Sequence, residues 1–541
     1  MTRAPWPRAW AALAWASLAT LTTAVAGGRL GAVVAHILLP LVAAGFVCAA
    51  RRSAPSSATF GAAVALAVTG AFNPALGALG VLSAVVLLLL GHGRTRLHAA
   101  LLLLVPIGLL GPWILQLVHD PLLLATGPGL TVWRGATTAP WQLALLHPGG
   151  PGSYPALMSA PIVLAGVIAM SRREVESRLM TVLAVLTAGG LAIGMASPHV
   201  IIALIPQDLA GAGGAITGWA GTGLDLAALG LIAAALRGYA SAAGQLSLLP
   251  FGWRQILVPG VVTGAVLGVL ASMAMAASAG LGDMLTRQVP NTPAVAADQA
   301  HGPLGNRLLE ITRDRGTIGY RLVGAEPGPL VRDLPSEVVE QEPVLAAAVK
   351  STLAAGDLTS ANAARDALAD LGVGFVAFQG ASTEPLANQL DATAGMTRLS
   401  NNQGLILWRV LPRENAAGSS RLRLVDAKGA TWESIAVTGD HGRTNVHVGP
   451  VTPGALAEGR RLVVAEPNGW AEHARVTFAG RRLAAIAGAE QPTYLVPPDA
   501  GQLIITVLPT HPRWDWGQLA LLLAVLFLAA PLGSARSRRA P

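Results

Sequence analysis

Cysteine is almost missing from this chain: Cys48 stands alone in 541 residues. That excludes an internal disulfide framework and a thiolate metal site, and Cys48 itself lies in an apolar run, as a small buried hydrophobe does. Lysine is nearly as rare, with only Lys350 and Lys428 among 37 basic residues. Charge of either sign is scarce, at 12% of the chain, against about 25% in soluble proteins. With a mean hydropathy of +0.54, that scarcity excludes an ordinary soluble protein. It also removes nucleic acid as the partner of the net charge of +8, because the arginines stand in loops between apolar runs, where they set orientation in a bilayer. No G-x-G-x-x-G opens a helix, no Cys/His/Asp cluster has metal-ligand spacing, and no Ser–His–Asp set can be picked from spacing. No cofactor and no metal is therefore expected.

What is present is a series of apolar runs: 9–26, 30–50, 58–72, 74–91, 97–118, 155–171, 179–197, 217–236, 255–279 and 515–534. A span needs about 20 apolar residues to cross about 30 Å of hydrocarbon, so the pattern predicts a polytopic α-helical membrane protein of about ten spans. Runs 58–72 and 74–91 are short and share the Asn73–Pro74 break, as a tight hairpin or a re-entrant pair would. Arg3 and Arg8 precede the first run, which reads as an anchor rather than a removed leader. Counted from a cytoplasmic N-terminus, the inner loops hold Arg51, Arg52, Arg94, Arg96, Arg172, Arg173, Arg178, Arg237 and Arg254, and the tail adds Arg536, Arg538 and Arg539. The outer loops before the long polar block hold only Arg29 and Arg134. That asymmetry puts both termini in the cytoplasm and the polar block outside the plasma membrane.

The chain then divides into a multi-span domain over 1–281, an extracytoplasmic α/β domain over 282–412, a β-sandwich-like domain over 413–513, and a final span with a basic tail over 514–541. In the α/β part, Thr317 to Val323, Val373 to Phe378, Thr397 to Ser400 and Leu405 to Val410 read as strands. Helical patterns between them suggest a small Rossmann-like sheet. In the last part, seven short stretches read as strands, as in a sandwich: Leu422 to Val425, Ile435 to Val437, Thr444 to Val448, Arg461 to Ala465, Ala474 to Phe478, Thr493 to Val496 and Leu503 to Val507. Trp432 and Trp470 there are candidates for stacking on a sugar, or equally for the sandwich core.

Two outer loops are longer than connection requires. The first, His119 to Tyr154, carries His119, Asp120, Trp133, Arg134, Trp141 and His147 among Gly and Pro breaks. Its Leu-rich pieces read as short interfacial helices. As a site it offers aromatic faces for a sugar, Arg134 for a phosphate, and Asp120 or His119 as acid and base. The second, Ser197 to Gly218, carries Asp208 and is placed to close over the first. Within the spans the ionisable residues are His36 and Asp225. A carboxylate at membrane depth is a functional candidate by default, although Asp225 lies near the outer end of its run and within reach of interfacial water. His36 reads as a hydrogen-bonded packing residue.

Several stretches resemble the C-terminal membrane and extracytoplasmic region of large actinobacterial family 2 glycosyltransferases. They are GPWILQLVHDPLLLATGPG (Gly111 to Gly129), APWQLALLHPGGPG (Ala139 to Gly152), IGYRLV (Ile318 to Val323), ALADLGVGFVAFQG (Ala367 to Gly380), LDATAGMTRLSNNQGLILWRV (Leu390 to Val410) and RRLVVAEPNGW (Arg460 to Trp470). AGRRL (Ala479 to Leu483) is similar to the DGRPL ending of such domains. The resemblance implies relatives that begin with a cytoplasmic domain binding a nucleotide-sugar and a divalent metal. Here the first apolar run begins at residue 9, no D-x-D stands in a cytoplasmic position, and no Q-x-x-R-W follows one. No catalytic residue of that family carries over.

Three functions fit these expectations. The first is a membrane component of cell-envelope glycan synthesis or export, working with a separate glycosyltransferase chain and without its own nucleotide-sugar site. The second is a polyprenyl-phosphate-sugar-dependent transferase with an outer-face active site at Asp120 or Asp208. The third is a glycolipid transporter, which needs polar groups near the midplane, where only His36 and Asp225 qualify.

Overall fold

The computed structural model describes residues 5–51, 55–119, 121–125, 138–150, 152–171, 177–205, 214–246, 253–280, 293–314, 317–324, 343–354, 357–380, 384–402, 404–411, 419–426, 429, 431–438, 443–451, 460–466, 469–507 and 512–530. It has an apolar helical region and a separate β-sheet region. Among the described residues, four helices are long and apolar enough to cross a membrane, or five if the bent pair Arg94–Leu110 and Trp113–His119 is one span. The expectation of about ten spans meets a second set of apolar helices of 10–17 residues, among them Ser56–Phe72 and Pro74–Leu90.

The helical region begins with α1 (Pro5–Ala16), α2 (Ala19–Ala26), α3 (Leu30–Ala49), α4 (Ser56–Phe72), α5 (Pro74–Leu90), α6 (Arg94–Leu110) and α7 (Trp113–His119). After the short α8 (Pro140–Ala144) come α9 (Ala160–Ser171), α10 (Ser177–Ala196), α11 (Gly221–Leu246) and α12 (Trp253–Gly280). Small residues set how closely these helices approach. In the α4–α5 hairpin a Cβ built on Gly77 would lie 2.5 Å from the Gly70 Cα, and one on Gly80 would lie 2.3 Å from Leu66. Those contacts run in antiparallel order and make the pair a tight hairpin turned at Asn73. In the α10–α11 pair a Cβ on Gly223 would lie 2.2 Å from the Gly194 amide nitrogen. Within the second long loop, β1 (Ile201–Ile205) and β2 (Gly214–Thr217) form an antiparallel ribbon, and β1 packs beside the turn Pro121–Ala125 of the first loop.

After α13 (Ala294–Ala300), a five-stranded sheet takes the order β4-β3-β5-β7-β6 from β3 (Arg307–Asp314), β4 (Thr317–Val323), β5 (Val373–Gln379), β6 (Met396–Asn402) and β7 (Leu405–Val410). Helices α14 (Pro343–Ala354), α15 (Leu358–Asp370) and α16 (Pro385–Ala392) cover one face, where Leu345, Val349, Leu368 and Leu390 pack on Ile311, Phe378 and Trp408. Ala296 of α13 packs on the other face with Phe375 and Leu407. The Rossmann-like expectation needs correcting. Among the described residues only β3 and β5 run parallel, and the pairs β3–β4, β5–β7 and β6–β7 are antiparallel. The interior strand β3, second in the sheet, has charged residues at both ends (RLLEITRD), which hides its alternation in the sequence.

The last lobe is a sandwich of two four-stranded sheets, β10-β15-β12-β13 and β14-β11-β8-β9. Its strands are β8 (Leu422–Val425), β9 (Thr431–Ile435), β10 (Thr444–Val448), β11 (Arg460–Val464), β12 (Ala474–Phe478), β13 (Arg481–Arg482), β14 (Thr493–Val496) and β15 (Gly501–Val507), with the turn α17 (Trp470–His473) before β12. Alternate residues of both sheets, including Leu424, Leu462, Val476 and Leu503, meet in one core, as the pleat requires. A buried ionic cluster ties the lobes: Arg307 of β3 donates to the Ala465 carbonyl at 2.5 Å and to Glu466 at 2.6 Å, and Arg421 reaches Glu466 at 2.5 Å. The chain then enters α18 (Pro512–Ala529), which returns to the helical region. Gln518 donates to the Leu109 carbonyl at 2.8 Å, and Trp514 packs against Gly111.

Candidate functional site

The polar centre of the helical region is Asp225, on α11. Gly223 and Ala227 of that helix pack against Gly190 and Gly194 of α10. Two residues of helix turn a side chain by roughly 200°, so Asp225 points the opposite way, toward α2 and α3. It is 2% exposed there. Thr20 of α2 donates its hydroxyl to Asp225 Oδ1 at 2.5 Å, and His36 of α3 places Nδ1 3.0 Å from the same oxygen.

Two local irregularities make room for His36. Leu18 is extended between α1 and α2, so the chain breaks there and the Trp15 carbonyl is left with a single 3.3 Å contact from the Leu18 amide. His36 Nε2 lies 3.2 Å from that carbonyl. Pro40, inside α3, has no N–H, so the His36 carbonyl loses the partner it would have four residues on. Trp15 fills the gap by donating its indole N–H to that carbonyl at 3.1 Å. The two rings also stack, with centroids 4.3 Å apart. Indole and imidazole thus exchange hydrogen bonds with each other's backbone.

This order of groups excludes a nucleophile–base–orienter relay. In such a relay the hydroxyl bonds the imidazole and the carboxylate stands behind it. Here the carboxylate is in the middle and the far imidazole nitrogen meets a backbone carbonyl. Thr20 is 1% exposed, so its hydroxyl serves the carboxylate rather than a substrate. What the arrangement does chemically is hold an imidazole and a carboxylate in direct contact, away from water.

Several polar groups gather at the same end of the helices. Arg29, at the turn between α2 and α3, is 5% exposed and lies over the Trp219 ring at 5.2 Å. Burial pulls its guanidinium down to about 10. Asn73 caps α5 by accepting from the Leu76 amide at 3.3 Å and donates to Thr222 of α11 at 3.1 Å. Tyr154 donates its hydroxyl to the Ser17 carbonyl, beside the α1–α2 break, at 2.6 Å.

The residues marked in the sequence fall into three groups. Asp225 and His36 come together. His147 is 6% exposed and closes its own loop: Nδ1 accepts from the Gly149 amide at 3.3 Å, so Nε2 carries the proton and donates to the Tyr154 carbonyl at 2.6 Å. Both ring nitrogens are thus engaged within its own loop. Trp141 is exposed on α8 and His119 is exposed at the end of α7. Trp470 is 8% exposed in the sandwich core, so it offers no open face to a sugar. Asp120, Trp133, Arg134 and Asp208 lie outside the described residues, as does the side chain of Trp432. Sequence reasoning missed Thr20, Trp15, Asn73 and the Arg29–Trp219 contact. The signal for Trp15 was present in Pro40, which orphans the carbonyl of His36. Among the described residues no three His, Cys, Asp or Glu side chains are grouped as metal ligands.

No family model, no curated protein and no solved structure matches this chain.

Proposed function

We propose that the chain is a membrane-embedded component of cell-envelope glycan synthesis or export, engaging a lipid-linked glycan and working with a separate glycosyltransferase. The observation that carries this reading is Arg29, a guanidinium buried against the Trp219 indole at the end of an apolar helical region. A weakly hydrated, planar cation beside an aromatic face suits the phosphate of a lipid carrier. The arginine distribution orients that end away from the cytoplasm in an assembly of about ten spans with both termini inside. The two lobes are attached at the same end, because the sandwich leads into α18 where Trp514 meets the Gly111 turn. The lobes then form a cap over the lipid-facing site.

Extraction in mild detergent, followed by mass spectrometry of bound lipids and proteins, tests the reading. A polyprenyl-phosphate-linked glycan recovered with the wild-type chain, and lost with Arg29→Gln, supports it. Recovery of no such lipid, or equal recovery with Arg29→Gln, sinks it. The contact between Asp225 and His36 favours a second reading, transport of the glycolipid, because it places an ionisable pair inside the helical region. Export assayed with Asp225→Asn separates the two: binding kept and export lost favours transport.

A further inference from the structure

The His36–Asp225 contact leaves a protonation question that its hydrogen bonds answer. Both ring nitrogens of His36 face acceptors, the Asp225 carboxylate at 3.0 Å and the Trp15 carbonyl at 3.2 Å. A neutral imidazole carries one N–H and donates once. Both bonds are made if the imidazole is protonated and the carboxylate is ionised. They are also made if the carboxylic acid donates to Nδ1 while Nε2–H donates to the carbonyl. In either form the pair holds one dissociable proton and is neutral overall. Remove that proton and a lone carboxylate charge remains in an apolar interior, with a bare Nε2 facing the Trp15 carbonyl oxygen. Add a second proton and an uncompensated cation remains.

Among the described residues, the side chains bonded to the pair carry no other charge. Facing the pair, α1 presents Trp15, α2 presents Thr20, and α10 packs against the opposite side of α11 with glycines. The neighbouring helices α4, α5 and α9 contain no charged residue. Arg29 stands at the turn beyond α2, Arg8 and Arg237 lie toward the other ends of α1 and α11, and Arg178 and Arg254 start α10 and α12. Cys48 lies at the far end of α3, and the Tyr154 hydroxyl is engaged by the Ser17 carbonyl.

We propose that Asp225 and His36 form a proton-binding site within the helical region, exchanging one proton with water, and that its release loosens the α1–α2 break. The released proton leaves as hydronium and no covalent bond other than the N–H or O–H is broken. The broken hydrogen bond is the one from Nε2 to the Trp15 carbonyl, one of the two that join α3 to the residue beside the break. Such a site couples proton movement to rearrangement of the end of the bundle carrying Arg29 and Trp219. The inference rests on the pair's geometry and not on the identity of the lipid ligand.

Trp15 supplies the readout, because an imidazolium stacked on an indole quenches its fluorescence. The full-length chain in lipid nanodiscs is titrated from about pH 4 to about pH 10, and the spectrum of Trp15→Phe is subtracted. The expected result is one step in the Trp15 component, abolished by His36→Gln and moved by more than about one pH unit by Asp225→Asn. Relative to the intrinsic base-catalysed rate at each pH, hydrogen exchange at Ser17 to Thr20 speeds up by about tenfold on the alkaline side. A flat Trp15 component overturns the proposal, as does a step unmoved by Asp225→Asn. Should Asp225→Asn not fold, a step that survives His36→Gln overturns it equally. No glycan enters this measurement, so it succeeds or fails separately from lipid recovery.

Discussion

Asp225 among the helices and Glu466 between the two lobes are both closed off from water, and each is held by basic partners of a different kind. Asp225 meets one imidazole, whose charge is variable near neutral pH. Glu466 meets two guanidiniums, those of Arg307 and Arg421, which stay charged at any ordinary pH. Burial pushes the Glu466 carboxyl up, but the two arginines outweigh it and hold the group below the usual carboxylate range. The first arrangement is neutral and can gain or lose a proton. The second keeps its charge and acts as a fixed clamp. One chain thus uses buried carboxylates in two ways, and the nature of the base decides which.

The most severe way to break this comparison is to remove the acid from the clamp. Glu466→Ala leaves two guanidiniums buried without their counterion, which costs about 3–5 kcal/mol. Hydrogen exchange on β3 and β8 in the full chain reports the loss. An effect below about 1 kcal/mol would place this cluster with ordinary surface ion pairs instead. Acid acts on the same group with a definite sign. The unfolded carboxyl titrates near about 4.3 and the folded one lies lower. Its stabilisation is therefore complete above about pH 5 and is lost as pH falls through the folded value. Lobe stability followed toward acid decreases in the wild type, and Glu466→Gln loses this contribution to the acid dependence.

A smaller effect tests the seat of the other carboxylate. Gly223→Ala puts a Cβ 2.2 Å from the Gly194 amide nitrogen, and backbone on backbone has no flexible side chain to give way. Overpacking of this kind costs about 1–3 kcal/mol. It also tilts α11, so the thermal transition of the detergent-solubilised chain falls and the Trp15 fluorescence changes with it. A fall in stability with unchanged Trp15 emission would show that the α10–α11 contact does not position Asp225.

How much of this was legible in the sequence differs between the two regions for a physical reason. The sandwich strands follow from alternation, a local signal, and six of the seven stretches read as strands overlap β8, β10, β11, β12, β14 and β15 in most of their residues. The seventh, Ile435 to Val437, shares only Ile435 with β9. Strand β3 escaped because its charged ends mask its period. His36 and Asp225 each stood out as lone ionisable residues in apolar runs. Their meeting did not, because 189 positions separate them and no spacing rule spans that distance. The break at Leu18 is equally silent, since it lies between ordinary Ala, Ser and Leu. Pro40 was the one local clue, and its meaning depended on knowing which indole would reach the freed carbonyl.

The smallest prediction supplies a neutral baseline for the comparison. Asn73 stands at the α4–α5 turn, and its partner Thr222 lies three residues before Asp225, on the same side of α11. Its side chain does two separable things: the oxygen caps α5 at the Leu76 amide, and the nitrogen donates across to Thr222. Asn73→Ala removes both and costs about 1 kcal/mol for the cap alone. Thr222→Val keeps the cap at the Leu76 amide but removes the oxygen that accepts from the Asn73 amide. If the cap dominates, Thr222→Val is close to the wild type in thermal stability and Asn73→Ala is not. If the link between hairpin and α11 dominates, both fall together, and the hydrogen bond one turn from Asp225 then helps to hold α11 in place without any charge.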